Sequence, residues 1–296
     1  MHDVLTNLET QSISCLDHGH VRLVDCSPRL APDDQKTADF AIVRAARVSY
    51  GDGTKSISED RTLIRYLFRH AHTTPLEMVE FTFHCKMPIF VARQWIRHRT
   101  ASVNEVSARY SVVKDEFYVP QVDNVCAQSP LNKQGRAEEP LNTVAVYDFQ
   151  DDCCGIARDA YGAYTRNLDD GIARELARIN LPLTLYTEWY WKIDLHNLFH
   201  FLALRCDSHA QYEIRVFADA MLKLITPIVP VSVEAWNDYH PMRGGVRLSR
   251  LELEALRKML LQTQSFVPLE SDNKRECAEW RQKVLTILGQ AEEPTA

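Results

Sequence analysis

From residue 80 to 87 the chain alternates with a period of two: Phe81, Phe83, Cys85 and Met87 are apolar, while Glu80, Thr82, His84 and Lys86 are polar. Successive strand side chains point to opposite faces, so this pattern predicts a half-buried strand. Pro88 follows at once and opens a predicted helix over 89–99, where a proline is tolerated because the first-turn N–H has no intrahelical partner. A strand with one covered face running straight into a helix restricts the chain to folds that combine a sheet with packed helices.

The remaining periodicities fit that frame. A first strand is expected at 21–25, followed by a Pro- and Asp-rich loop. Helices are expected at 39–48, with Ile42, Ala45 and Ala46 on one face, and at 60–71, with Leu63, Ile64 and Leu67 at helical spacing. Residues 111–119 read as a strand, 121–143 as a loop or insertion, and 144–168 and 172–180 as helices, the second stopped by Pro182. The aromatic-rich stretch 183–192 reads as a strand, and 195–204 and 209–224 as helices. Ser249 and Glu252 stand at capping-box spacing and start an amphipathic helix with Leu253, Leu256 and Leu260 inward. With no internal repeat and no clear linker, the simplest architecture is one α+β domain. It divides into a polar N-terminal extension (1–20), a catalytic domain (21–235) and a helical C-terminal extension (236–296), whose last residues, 288–296, are again polar.

Composition excludes several classes. A hydrophobic share of 45% rules out general disorder, and 10 Gly and 13 Pro in 296 residues rule out a collagen-like or linker polymer. No apolar run approaches the roughly 18 residues of a membrane span, and the start Met1-His2-Asp3-Val4 lacks the basic and apolar regions of a secretory signal. A cytoplasmic protein is expected. The 8 Cys form no CxxC pair, which suits reduced thiols better than disulfides or zinc. A net charge of -6 argues against nucleic acid as a partner without excluding a local basic site.

Such a site stands at 94–110. Arg97, His98 and Arg99 end the helix that Pro88 opened, followed by Ser102, Asn104, Glu105, Ser107 and Arg109. Adjacent helical side chains diverge by about 100°, so the three reach one partner only if it wraps the helix end. A ligand with several phosphates does that, and the planar guanidinium fork suits phosphate. Cations in a last helical turn are also favoured by the macrodipole alone, by roughly 0.3–1 kcal/mol. The tail decides between the two, being too polar for packing and too patterned for a flexible linker.

Arg97-His98-Arg99, then seven residues, then Ser107 matches the R-H-R-x7-S signature of flavin-dependent thymidylate synthases, and the longer pattern R-H-R-x-x-S-x-N-E-x-S-x-R is met in full. His-Thr-Thr-Pro at 72–75, Phe-Val-Ala-Arg-Gln-Trp at 90–95, Leu-Pro-Leu at 181–183 and Asp-Ser-His-Ala-Gln at 207–211 also resemble the family, over about 21–220. The resemblance implies an α+β fold with helices against a mixed sheet and, with no G-x-G-x-x-G present, a flavin site that is not of the Rossmann kind. It implies conversion of dUMP to dTMP, with methylenetetrahydrofolate as carbon donor, FAD as cofactor and NADPH as its reductant. It further implies a homotetramer with shared active sites, to which the apolar helix faces at 89–96 and 195–204 offer interface as well as core.

Residue by residue, the family's dUMP set carries over to Gln94, Arg97, Glu105, Val106, Ser107, Ala108, Arg109, Arg178 and Arg205. Its FAD set carries over to His72, Thr74, Arg97, His98, Arg99, Glu105, Asp194, Leu195, His196 and His200. Arg205 is the catalytic residue implied, an always-charged donor that stabilises negative charge developing on the uracil oxygens. By spacing alone, Arg174, Glu175 and Arg178 read as a surface ion-pair ladder; the resemblance makes Arg178 a ligand, held by Glu175. Asp194 stands where some members have Asn, and an ionised carboxylate only accepts hydrogen bonds. His196 and His200 lack the intervening Glu and third ligand of a zinc site, so no metal is expected. No Cys stands in a Pro-Cys-His or Pro-Cys-Gln setting; Cys206 beside Arg205 is a weak candidate nucleophile, and Ser107 lacks a nearby base. A flavoprotein oxidoreductase that does not methylate is the rival function.

Overall fold

The computed structural model describes residues 12–29, 37–48, 57–130, 133–243, 247–263 and 267–288. The chain divides into two compact units, Met1–Trp236 and Asn237–Ala296. Five strands form the sheet of the first unit in the order β1 (Ser12–Cys15), β2 (Gly19–Ser27), β3 (Glu80–Pro88), β7 (Tyr186–Asp194), β4 (Ser102–Glu105). Each neighbouring pair is antiparallel, so the mixed sheet implied by resemblance is corrected to an antiparallel one. The sheet also reaches into the segment read as a loose extension, because β1 and the start of β2 precede residue 21.

The apolar half of the alternation in β3 is realised, with Phe81, Phe83, Cys85 and Met87 all at 0% exposure, but Lys86, expected on the open face, is buried at 8% and paired with Glu116. Register puts Phe83 opposite Trp191 and Cys85 opposite Trp189, and Leu23 of β2 opposite Phe83, which makes one apolar sheet face. Helices α3 (Ile89–Trp95), α6 (Leu195–Arg205) and α7 (Tyr212–Ile225) pack on that face. Trp95 is the centre of this core, with ring centroids 5.0–5.4 Å from Phe201, Trp191 and Trp189. The helix faces expected to serve as both core and interface are mostly core: Val91, Ala92, Leu195, Leu198, Phe199, Phe201, Leu202 and Ala203 are buried, leaving Ile96 and Leu204 exposed.

Helix α1 (Asp39–Arg47) packs against α2 (Ile57–Arg69) and the 3-10 turn Thr74–Met78. The buried Asp39 carboxylate accepts from Val231 N, Ser232 N and Ser232 Oγ, capping α8 (Pro230–Tyr239). Two expected elements are shorter than their sequence pattern: α3 stops at Trp95 rather than 99, and 172–180 holds only one helical turn, α5 (Arg174–Ala177), plus a 3-10 turn, Arg178–Asn180. The strand expected at 111–119 is absent; Phe117 alone bridges Leu185. Inside the expected loop 121–143, β5 (Cys126–Gln128) and β6 (Arg136–Pro140) form a hairpin. The long α4 (Thr143–Asp169) buries Val146, Ala157 and Tyr164 and exposes Val144, Tyr147, Phe149 and Ile156.

In the second unit, α9 (Arg250–Thr263) opens on the expected capping box: Ser249 N donates to Glu252 Oε2 at 2.7 Å and Glu252 N to Ser249 Oγ at 3.3 Å. Leu256 and Leu260 are half-buried as expected, whereas Leu253 is exposed. Helix α10 (Lys274–Leu288) follows, with Tyr239 Oη donating to its Glu276. No helix among the described residues is long and apolar enough to cross a membrane.

Candidate active site

The antiparallel register gathers the chemistry at the helix ends above the sheet. Pro88 turns the chain from β3 into α3, which delivers Gln94 and, past its last turn, Arg97, His98 and Arg99. From β7, Asp194 ends the strand and caps α6 by accepting from Asn197 N at 2.9 Å, while Asn197 Nδ2 donates to its second oxygen at 2.6 Å. Helix α6 then carries His196, His200 and, at its end, Arg205. The result is one contact between the two helix ends: Arg205 Nε donates to His98 Nε2 at 3.1 Å.

That contact fixes the protonation of His98. Burial first, then the charge of Arg205 and the neighbouring His200, pushes the imidazole down to about 4, so it is neutral near pH 7 with Nε2 free to accept. Burial also lowers the Arg205 guanidinium from its ordinary value. No carboxylate pairs with Arg205 among the described residues, so its charge is partly desolvated and uncompensated. His98 further packs edge-on against Phe201 at 4.9 Å and lies 6.1 Å from His200. Arg97 and Arg99 are exposed and have no hydrogen-bond or ion-pair partner among the described residues. Gln94 Nε2 donates to Gln211 Oε1 at 3.5 Å, and Gln94 Oε1 is shielded from solvent with no partner.

A second group sits on the loop beyond β4. Thr187 Oγ1 donates to Glu105 Oε1 at 2.6 Å, and Val106 N donates to Glu188 O at 2.9 Å, which holds the loop on β7. Ser107 closes a turn: its Oγ accepts from Arg109 N and its carbonyl from Tyr110 N. Arg109 Nη2 meets Glu175 Oε2 at 3.1 Å, so Glu175 holds Arg109 and not Arg178 as expected, because the single turn of α5 faces the 107–110 loop. Arg174 Nη1 donates to Tyr110 O at 3.0 Å on the same side. Arg109, Val112, Leu168, Gly171, Ile172, Ala173 and Arg174 line an open depression of ≈ 410 Å3. Arg178 is half-buried and has no partner among the described residues.

His72 and Thr74 flank the start of β3, with His72 edge-on to Tyr66 at 5.8 Å. Leu195 is fully buried and its N–H donates to Val79 O, so its side chain packs beneath the site. Ala108 is half-buried in the turn that Ser107 closes. Among the described residues no hydrogen bond or ion pair joins the His98–Arg205 group to the Arg109–Glu175 group. Sequence reasoning missed Thr187, although alternation in β7 places its hydroxyl on the face of Trp189 and Trp191, where a polar group needs a partner.

These features define an α+β protein in which Arg97, Arg99, Arg178 and Arg205 have no carboxylate partner among the described residues. The family model described as thymidylate synthase complementing protein (Thy1) matches residues 32–231. A flavin-dependent thymidylate synthase of Dictyostelium discoideum is 54% identical over 282 residues, 95% of this chain and 89% of that protein. One from Rickettsia bellii is 50% identical over 262 residues, 84% of this chain and 85% of that protein. Among solved structures, a UMP/dUMP methylase, PolB, from Streptomyces cacaoi, bound with 5-Br dUMP, is 34% identical with a TM-score of 0.67, covering 77% of this chain and 98% of that one. The chain belongs to the thymidylate synthase complementing protein family.

Proposed function

We propose that this chain is a flavin-dependent thymidylate synthase, converting dUMP to dTMP with methylenetetrahydrofolate as carbon donor and NADPH as the reductant of FAD. The observation that carries the proposal is Arg205: a half-buried guanidinium with no carboxylate partner, oriented through Nε by a neutral His98 and keeping its terminal nitrogens for a ligand. Such a charge is stabilised by negative charge placed against it, and the uracil oxygens carry partial negative charge that grows as the ring reacts. The unpartnered Gln94 Oε1 and the unpaired Arg97, Arg99 and Arg178 also call for a ligand.

In this proposal Arg97, His98, Arg99 and Glu105 hold FAD together with His72, Thr74, Asp194, His196 and His200. The residues present suit it: two free guanidinium groups meet phosphate, and a neutral imidazole accepts or donates without adding charge. Asp194 is the weakest member, since both its oxygens are engaged by Asn197. When bound, FAD reduced by NADPH supplies the hydride that completes the methyl group. Gln94, Arg97, Glu105 to Arg109, Arg178 and Arg205 hold dUMP. Ser107 is a positioning residue, its hydroxyl engaged by Arg109 N. The exposed apolar residues of α4, Val144, Tyr147, Phe149 and Ile156, support a homotetramer, in which subunits would complete one another's site.

The test is dTMP formation from dUMP, NADPH and methylenetetrahydrofolate under anaerobic conditions, with the flavin absorbance of the purified protein recorded. A yellow protein that forms dTMP is expected, and Arg205→Ala should abolish turnover while retaining FAD. A colourless protein, inactive after added FAD, refutes the proposal. NADPH oxidation without dTMP formation refutes it in favour of a non-methylating oxidoreductase.

A further inference from the structure

The hairpin of β5 and β6 has no part in the site described above, yet one of its side chains enters the interior beneath it. Arg136 Nη2 donates to Glu213 Oε1 at 3.0 Å, and its Nη1 donates to Asn124 O. Its guanidinium also lies 5.3 Å from the centre of the Tyr212 ring. Tyr118 Oη donates to the same Glu213 oxygen at 3.1 Å. Glu213 is 5% exposed and Tyr118 6%, so a carboxylate in the first turn of α7 is buried between a cation from the hairpin and a phenol from the segment that continues the 105–111 loop.

The first turn of α7 is also where the chain returns from Arg205. Arg215 Nη1 donates to Ser208 O at 2.8 Å, pinning the connection that follows Arg205, and Gln211 accepts from Gln94. The segment from Ser107 to Tyr118 is fastened to the start of β7 and the residues just before it by Tyr118 N donating to Thr184 O at 2.9 Å and Tyr186 N to Glu116 O at 3.0 Å. Three chain segments that carry dUMP-side residues, around Gln94, 105–109 and Arg205, therefore meet structures anchored at one first turn. A buried carboxylate needs its counter-charge and all its donors to stay in place.

We infer that Glu213, held by Arg136 and Tyr118, is a positioning residue for the nucleotide subsite, and that the 126–140 hairpin exists to supply its counter-charge. The inference rests on the dUMP assignment above. Its consequence is selective: the node supports Gln94, Arg205 and the turn at 107–109, which the proposal assigns to dUMP alone, whereas Arg99 and His72, assigned to FAD alone, make no hydrogen bond or ion pair with it among the described residues, so nucleotide affinity should fall without a matching loss of flavin affinity.

The experiment is titration calorimetry of dUMP into the FAD-loaded protein and of FAD into the flavin-free protein. Tyr118→Phe deletes one hydroxyl and keeps the ring that packs 5.8 Å from Phe90. It should weaken dUMP binding about tenfold, the loss of one hydrogen bond to a charged group, with FAD binding changed by less than about twofold. Arg136→Ala should weaken dUMP more, Arg136→Lys should recover part of the loss, and the Tyr118→Phe/Arg136→Ala pair should be non-additive because both act through one carboxylate. If Arg136→Ala does not fold, Tyr118→Phe decides alone. Unchanged dUMP affinity in Tyr118→Phe overturns the inference, and so does an equal fall in dUMP and FAD affinity, which marks a merely structural role. Wild-type protein that binds neither ligand overturns the functional proposal, and this inference with it.

Discussion

Acidification should act on this protein through His98. Its imidazole accepts from Arg205 Nε, is packed against Phe201 and is flanked by His200, all from α6, so protonation would place a second positive charge against a guanidinium in a half-buried setting. The folded-state value is pushed from 6.5 down to about 4. A depressed histidine means that the unfolded chain binds the proton more readily, so this contribution to stability is complete above about 6.5 and is lost as pH falls through about 4. The full shift corresponds to about 3 kcal/mol, and solvent screening at a half-buried site reduces this to about 1–2 kcal/mol. The assay is urea unfolding at fixed protomer concentration between pH 7.5 and 4, comparing wild type with His98→Gln, whose amide oxygen can accept from Arg205 at every pH. The wild type should lose about 1–2 kcal/mol more than the variant over that range. Parallel stability curves would refute the argument, because they would show that burial and the charge of Arg205 do not hold His98 neutral.

Other perturbations test separate parts of the structure. Asp39→Ala removes the acceptor for Val231 N, Ser232 N and Ser232 Oγ at the buried start of α8 and should cost about 2–4 kcal/mol in urea unfolding. Gly19→Ala would bring a Cβ within 2.6 Å of Cys15 O and 2.8 Å of Lys86 O, two backbone atoms of neighbouring strands. An overpacking penalty of about 1–3 kcal/mol should appear in the same assay. Glu175→Gln breaks an ion pair with Arg109 in which both side chains are more than half exposed, so stability should change by under about 1 kcal/mol.

Local pattern made the sheet and its covered face legible, while pairing and termini depended on distant contacts. The alternation at 80–85 could be read because each residue's burial there is set by its own parity in the strand, whereas Lys86 is buried by its contact with Glu116. The end of α3 could not, since residues 96–99 have ordinary helix propensity and the chain leaves the helix so that Ser102 can pair with Lys192 across β4 and β7. Residues 111–119 look like a strand in composition, yet Val113 gives its N–H to Tyr164 Oη and its carbonyl to Tyr161 Oη, so side chains of α4 replace a ladder there. The strands of the hairpin at 126–140 carry no period-two alternation in sequence; Gln128 Nε2 donating to Gly135 O at 2.7 Å ties one strand to the start of the other. In the candidate site the basic run Arg97, His98 and Arg99 stands out by type and spacing, while Arg178, Arg205 and the other members are implied by the family resemblance. Their partners were not legible: Arg109 and Glu175 lie far apart in sequence, and the ladder spacing of Glu175 and Arg178 pointed to the wrong cation.

Net charge misleads for the same reason. A chain carrying -6 is expected to repel anions, yet what an anion meets is the local balance, and that balance is set by which cations are already paired. Away from the site, Arg47 meets Asp60, Arg65 meets Glu234, Lys86 meets Glu116, Arg136 meets Glu213 and Lys192 meets Glu80. Those contacts spend carboxylates on structural cations. Arg97, Arg99, Arg178 and Arg205 receive none among the described residues, and Arg205 is given a neutral imidazole where a carboxylate would have cancelled its charge. A carboxylate at position 98 would hold Arg205 as well as the histidine does and would still remove the attraction for an anionic ligand. In the proposed dUMP site, a neutral His98 orients the guanidinium while leaving its charge to the ligand.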